Sequence, residues 1–199
     1  MSGKRFTRLM TIAALAVVPL TVMTAGSASA HGYTNSPASR AYHCSEGTVG
    51  DCGQIQWEPQ SVEGPKGFPG AGPADGTICA GGVGQFAELD DPRGGAWPAT
   101  NVSAGGSFTF RWHLTARHST TSFRYFVTRD GYDPSQPLTR ANLEPEPFLY
   151  VDGQNQQPPA DVAHTGTLPN KSGRHLILSV WDIADTGNAF YQCADVNFG

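Results

Sequence analysis

The sequence has little charge, and less of it positive than negative. Only 15% of its 199 residues are Lys, Arg, Asp or Glu, thirteen basic against seventeen acidic. Three of the basic residues, Lys4, Arg5 and Arg8, and none of the acidic ones precede residue 31. The rest of the chain therefore holds ten against seventeen, a formal charge of −7. An acidic surface repels polyanions, which argues against nucleic acid and anionic membranes as partners and leaves neutral polymers such as polysaccharides. The apolar stretch at residues 9–22, broken by Thr11 and Thr21, falls short of the roughly 20 residues a spanning helix requires. Cysteines are few, four in all, and no C-x-x-C pair occurs among them, which argues against a cysteine-rich zinc site. Repeats, linkers and low-complexity tails are lacking, so a second module is not expected.

What is present begins with a positive start, the apolar stretch, and small residues ending in Ala28-Ser29-Ala30. That order reads as a secretory signal peptide, residues 1–30, with an A-x-A cleavage site. Cleavage after Ala30 would leave 169 residues, 31–199, as one secreted, extracellular domain with a core of its own. Its first residue would be His31, carrying a free α-amino group. In an exported chain four cysteines suggest two disulfides, with three pairings possible. Cys44 and Cys52 lie close together in a Gly-containing loop that a bridge could staple. Cys79 then pairs with Cys193, and this is the pairing expected.

Abundant Gly and Pro, low charge and frequent aromatics suit short strands joined by long loops. Residues 108–116 alternate apolar and polar, the period of a half-buried strand, and residues 121–128 are rich in aromatic and β-branched types. Residues 176–181 form a nearly continuous apolar run, as in a strand buried on both faces, and include Trp181 as a core residue. Residues 190–198 alternate again, with Phe190, Gln192, Ala194, Val196 and Phe198 on one face. Residues 39–97 have little periodicity and read as a long excursion with one or two short helices. The expected fold is mostly β, a two-sheet sandwich with one large insertion near its start.

If the strand at 108–116 keeps its period to its end, His118 stands at its mouth, on the face of Phe110, Trp112 and Leu114. His113 falls on the opposite, polar face as a surface residue. An N-terminal His31 offers two nitrogens, the α-amine and imidazole Nδ1, which close a chelate ring on one metal. The amine's reference pKa of roughly 8 makes its deprotonation easy near neutrality. A second imidazole, from His118, would complete a T-shaped set of three nitrogens, which selects copper(II) over zinc by geometry and by the Irving–Williams order. A lone histidine is more often structural, however, and signal cleavage must leave some residue first. Composition and spacing do not separate these readings.

The segments HGYTNSPASRAYHC, WEPQSVEGPKGFPGAGPADG, LTARHSTTSFRYF, SQPLTRA and WDIADTGNAFYQ resemble the bacterial lytic polysaccharide monooxygenases of auxiliary activity family ten. More narrowly they are similar to its small chitin-active members, first described as chitin-binding proteins. The resemblance runs from His31 to about Asn197. It implies a fibronectin-III-like or immunoglobulin-like sandwich, one copper ion per chain and a histidine brace made by His31 and His118. It further implies Phe190 at the axial side of the metal, Ala116 as the small residue shaping access to the other side, and Glu63 as a carboxylate beside the site that orients the oxygen species. Trp57, where many relatives have Tyr, corresponds to the exposed aromatic that stacks on sugar rings. Glu58, Gln60, Thr115, Asp185 and Asn188 correspond to positions on a flat substrate-binding face. This chain has no cysteine near Leu149 and Thr165, where some relatives carry a disulfide.

The implied activity is cleavage of crystalline chitin by oxidation at C1, giving aldonic acids, with hydrogen peroxide or oxygen and a small-molecule or protein reductant, in a monomer. Hydrolysis, which needs two carboxylates at a defined separation, is a different chemistry. A non-catalytic chitin-binding protein and a cellulose-active oxidase of the same family are the rival readings. N-terminal sequencing of the exported protein is expected to begin His31-Gly32-Tyr33. Any other first residue would remove the amine from the proposed ligand set.

Overall fold

The alternation of Phe108, Phe110, Trp112 and Leu114 is realised as the central strand of a small sheet, and the run at 176–181 as a strand with no exposed face. These features come from a computed structural model that describes Gly3 and residues 30–199. The predicted signal peptide thus lies outside the described residues, except Gly3 and Ala30. Nine strands are present among them: β1 (His31–Ser36), β2 (Glu63–Pro65), β3 (Thr100–Val102), β4 (Ser107–Ala116), β5 (Thr120–Val127), β6 (Leu149–Gln156), β7 (Asp161–Thr167), β8 (Gly173–Ile183) and β9 (Asn188–Phe198). Strands β1, β4 and β7 form a three-stranded sheet in that order. The larger sheet has the order β2-β9-β8-β5-β6, with β3 also paired to β9. Every ladder is antiparallel except β3–β9. The expected mostly-β sandwich is therefore what forms. No helix among the described residues is long and apolar enough to cross a membrane.

Period two sends alternate residues of β8 to opposite faces. Ile177, Trp181 and Ile183 face the small sheet, where they pack with Phe110, Trp112 and Leu114 of β4 and with Phe123, Tyr125 and Val127 of β5. Leu176, Leu178 and Val180 face the other way and pack under the insertion, against Ile55, Val62, Phe68, Ile78, Phe86, Leu89 and Trp97. The molecule thus has three layers: small sheet, large sheet and insertion.

Strand β9 corrects the sequence reading of a half-buried alternation. Phe190, Val196 and Phe198 do share the inner face, but Ala189, Tyr191 and Cys193 on the other face are equally buried, because the insertion covers them. The insertion contains the expected short helix, and more besides. It holds a single α-helix, α1 (Arg40–Ser45), three 3₁₀ turns (Gly53–Trp57, Gly84–Leu89 and Arg93–Gly95) and the short strand β2. Helix α1 starts where it does because the Ser39 side chain accepts a hydrogen bond from Tyr42 N, capping the first turn.

Three ties hold the insertion in shape and, two of them, on the sheet. Cys44–Cys52 staples its first loop, and Cys79–Cys193 joins it to β9 across 114 residues of chain. The chain-entropy estimate for a loop that long is about 4–5 kcal/mol. The third tie is electrostatic. Arg40 Nε donates to Asp195 Oδ2 at 2.8 Å, with side chains only 4% and 1% exposed. Arg40 Nη1 also donates to the Leu89 carbonyl, and Arg174 Nη2 reaches Asp195 Oδ1 at 3.1 Å. The ring of Trp97 is flanked by two guanidiniums, Arg40 at 5.0 Å and Arg93 at 4.6 Å.

Removing one partner of a buried ion pair strands the other charge and costs about 3–5 kcal/mol. Asp195→Ala, which orphans Arg40 and Arg174 together, is expected to lower unfolding stability by that much in urea titration. A loss under about 1 kcal/mol would mean the disulfide and apolar contacts hold the insertion without the pair.

Candidate metal centre

Strand β1 opens with His31, whose Cα partner across the ladder is Ala116, the last residue of β4. His118 follows two residues beyond, where β4 has ended and β5 has not begun. Both imidazoles therefore belong to the same end of the small sheet. Gly32 allows β1 to lie this close. A Cβ there would stand 2.6 Å from Leu114 Cδ2 and 3.3 Å from Trp181 Cζ3. A larger residue would lift β1, and His31 with it, off the core.

The large sheet supplies the floor. Phe190 is buried on β9, with its ring centroid 6.4 Å from that of His31 and 5.0 Å from that of Trp181. An apolar ring there gives no donor to a metal and keeps water from that side. Strand β2 brings Glu63 opposite Phe190 in register. Gly64 makes the placement possible, since a Cβ on it would collide with the Gly81 carbonyl at 2.1 Å. Glu63 Oε1 accepts a hydrogen bond from Asn188 Nδ2 at 2.7 Å, which fixes the carboxylate. Gly32 N donates to the Gln60 carbonyl at 3.0 Å, joining the insertion directly to the strand of His31.

His118 is largely buried and Asp185 is exposed, and the Nδ1 of the one lies 2.8 Å from Oδ1 of the other. Trp57 ends its 3₁₀ turn three-quarters exposed, while Ile55 in the same turn is fully buried and anchors it. Glu58 and Gln60 follow, partly exposed, and Thr115 is exposed on β4. The structure thus brings His31, Ala116, Phe190, Glu63 and Asn188 together through two ladders and pairs His118 with Asp185. His113 stays apart, bonded to Asp161 on the outer face of the small sheet.

The donor set tests whether a metal fits. Among the described residues no three His, Cys, Asp or Glu side chains are placed to hold an ion. Two imidazoles are available, so a three-nitrogen site needs a donor that is not a side chain. The α-amine of a chain starting at His31 is such a donor, and a set of nitrogens without carboxylate or thiolate suits copper. The residues present therefore fit that ion.

Two features escaped the sequence reading. A shallow hollow of about 240 Å³ beside His118 is lined by Arg117, Ser119, Gln157 and Asp185. Gln157 comes from the β6–β7 connection, some forty residues away, so no local motif could have placed it. The Glu63–Asn188 bond likewise depends on the β2–β9 pairing, which a three-residue strand does not announce.

With this geometry in place, comparison with known proteins gives a consistent result. The family described as lytic polysaccharide mono-oxygenase, cellulose-degrading, matches residues 31–196. A lytic polysaccharide monooxygenase of auxiliary activity family ten from Streptomyces lividans superimposes with a TM-score of 0.83 at 58% identity, over 84% of this chain and 100% of that one. A Bacillus amyloliquefaciens structure described as CBM33 in complex with Cu(I) after photoreduction has a TM-score of 0.78 at 39% identity, over 85% of this chain and 100% of that one. The GlcNAc-binding protein A of Shewanella oneidensis is 44% identical over 190 residues, 95% of this chain and 40% of that protein. The chain spans about half the length, or less, of the curated relatives it matches. The chain belongs to the lytic polysaccharide monooxygenases of auxiliary activity family ten, a class of copper-dependent oxidative enzymes.

Because its ring stands in solvent, Trp57 should not hold the fold. Trp57→Ala is expected to leave stability within about 0.5 kcal/mol of wild type, as surface substitutions do. A fall of several degrees in melting temperature would make the residue an anchor of the insertion instead.

Proposed function

We propose that the mature protein is a secreted, monomeric, copper-dependent monooxygenase that cleaves crystalline chitin by oxidation at C1, giving aldonic-acid-ended chitooligosaccharides. The observation that carries this reading is the pair of imidazoles, His31 and His118, at one end of the small sheet, where the described residues include no cluster of three metal-ligating side chains. The GlcNAc-binding name of the Shewanella oneidensis relative supports chitin over cellulose as the substrate.

Bound there, copper would supply one-electron cycling with an external reductant and activation of hydrogen peroxide or oxygen. The chain's own residues do the rest. His31, through its amine and Nδ1, and His118 would hold the ion. The buried Phe190 ring beside His31 would offer the ion no donor atom and would exclude water there. Ala116, opposite His31 in the ladder, is small and would leave room for a small molecule to approach. Glu63, held by Asn188, presents a carboxylate that can accept or return a proton near the reacting oxygen. Trp57 offers an apolar face to sugar C–H groups. Glu58, Gln60, Thr115 and Asn188 offer hydrogen-bond partners for hydroxyl and acetamido groups, and a flat arrangement suits a crystal that cannot enter a cleft.

Copper-loaded protein incubated with β-chitin, ascorbate and peroxide is expected to release oxidised chitooligosaccharides, identified by mass spectrometry. His118→Ala should release none while staying folded, and one extra residue before His31 should abolish tight copper binding in calorimetry. Trp57→Ala should keep the copper affinity, bind chitin more weakly and inactivate faster during turnover. Oxidised cello-oligosaccharides from cellulose, with none from chitin, would overturn the substrate. Binding to chitin without oxidised products from either polymer would overturn the enzyme.

A further inference from the structure

Asp185 lies among the polar positions that the family resemblance assigns to the substrate face, yet its carboxylate is already engaged. Its Oδ1 lies 2.8 Å from His118 Nδ1, and the exposures are unequal: 55% for the Asp185 side chain, 11% for that of His118. A carboxylate accepts and does not donate, so Nδ1 is the protonated nitrogen of His118 and Nε2 carries the lone pair. An imidazole beyond the end of a strand can turn over about its Cβ–Cγ bond and present either nitrogen. The Asp185 bond removes that freedom and leaves Nε2 as the nitrogen available to a metal.

The carboxylate is held firmly enough to do this. Asp185 sits on the short β8–β9 connection, which is tied at both ends. Ala184 N donates to the Ser119 carbonyl at 2.7 Å, and Lys66 N donates to the Gly187 carbonyl at 2.8 Å. Lys66 Nζ also donates to the Ile183 carbonyl. On the other side, Thr120 Oγ1 donates to the His118 carbonyl and in turn accepts from Trp181 Nε1, which fixes the backbone of the histidine to the core. His113 and Asp161 form a similar pair at 2.7 Å, but they face each other across the regular β4–β7 ladder, where strand register holds the ring. His118 has no ladder partner, and the hydrogen bond given to its ring is the one with Asp185.

We propose that Asp185 is a positioning residue: it fixes the tautomer and ring orientation of His118 for metal binding, and is not chiefly a contact to chitin. This rests on His118 being a copper ligand. Hydrogen-bond partners of metal-bound histidines are worth about 10- to 100-fold in metal affinity.

The test uses the mature protein beginning at His31, with Asp185→Ala and Asp185→Asn. In the copper-free wild type, ¹⁵N-detected NMR should show the His118 tautomer with Nδ1 protonated. Asp185→Ala should shift it toward a mixture or toward the Nε2–H form, while Asp185→Asn, whose side-chain carbonyl still accepts, should largely restore it. Copper affinity by calorimetry should fall about 10- to 100-fold in Asp185→Ala and recover in Asp185→Asn. Binding of the copper-free variants to chitin should stay near wild type. Weaker chitin binding with an unchanged tautomer and unchanged copper affinity would make Asp185 a substrate contact and overturn the proposal. Lower copper affinity with an unchanged tautomer would reduce its role to that of a nearby charge, and overturn it equally. A wild-type protein that takes up no copper would sink the copper reading itself, and the NMR result on the copper-free protein separates that failure from this one.

Discussion

Arg40 and Asp195 meet in a place water does not reach, and the arrangement of the site depends on their doing so. Asp195 lies on β9 and Arg40 opens the only α-helix among the described residues, so the pair holds the insertion against the outer face of the large sheet. The Cys79–Cys193 bridge lands on β9 two residues before Asp195 and repeats the tie covalently. With the insertion held there, β2 can pair with the start of β9 and set Glu63 opposite Phe190. The same placement lets the Gln60 carbonyl accept from Gly32, beside His31. A buried ion pair contributes little net stability compared with apolar residues of like size. Its value here is in placement, since a buried guanidinium that must reach both Asp195 and the Leu89 carbonyl has one place to be.

The parts of the fold legible in the sequence were those whose period had a single cause. Strand β4 has one face in the core and one in solvent, so its alternation is clean. Strand β8 lies between two layers, and its continuous apolar run says so. Strand β9 occupies the same position, but Asp195 and Asn197 fall between Ala194, Val196 and Phe198, and these polar residues imitate the alternation of a half-exposed strand. Strands β1, β2, β3, β6 and β7 went unread. Residues of β6 such as Asp152, Gln154 and Asn155 carry turn chemistry, and an exposed edge strand asks little of its side chains.

At the site, the residues fell into two groups. His31 and His118 could be reached by chemical argument, because an N-terminal histidine has an unusual pair of donors. Glu63, Phe190, Ala116 and the polar face came only through family resemblance. Each owes its place to strand register or to a loop tie, which no local pattern encodes. Asp185 shows the difference most clearly. As a residue in a sequence segment it is one more polar group on a surface, whereas in three dimensions it is bonded to the His118 ring.

Ala30 is 2% exposed and packs with the cluster between the two sheets. A signal peptidase requires an extended, accessible segment on both sides of the bond it cuts. If the bond after Ala30 is the one cut, a precursor that folded first would draw that bond against the sandwich and out of the enzyme's reach. In that case cleavage would have to precede closure of β1 onto β4, and the amine would exist before there is a folded site to receive it. A chain that missed cleavage would keep both imidazoles and the whole sandwich, yet would lack the amine donor.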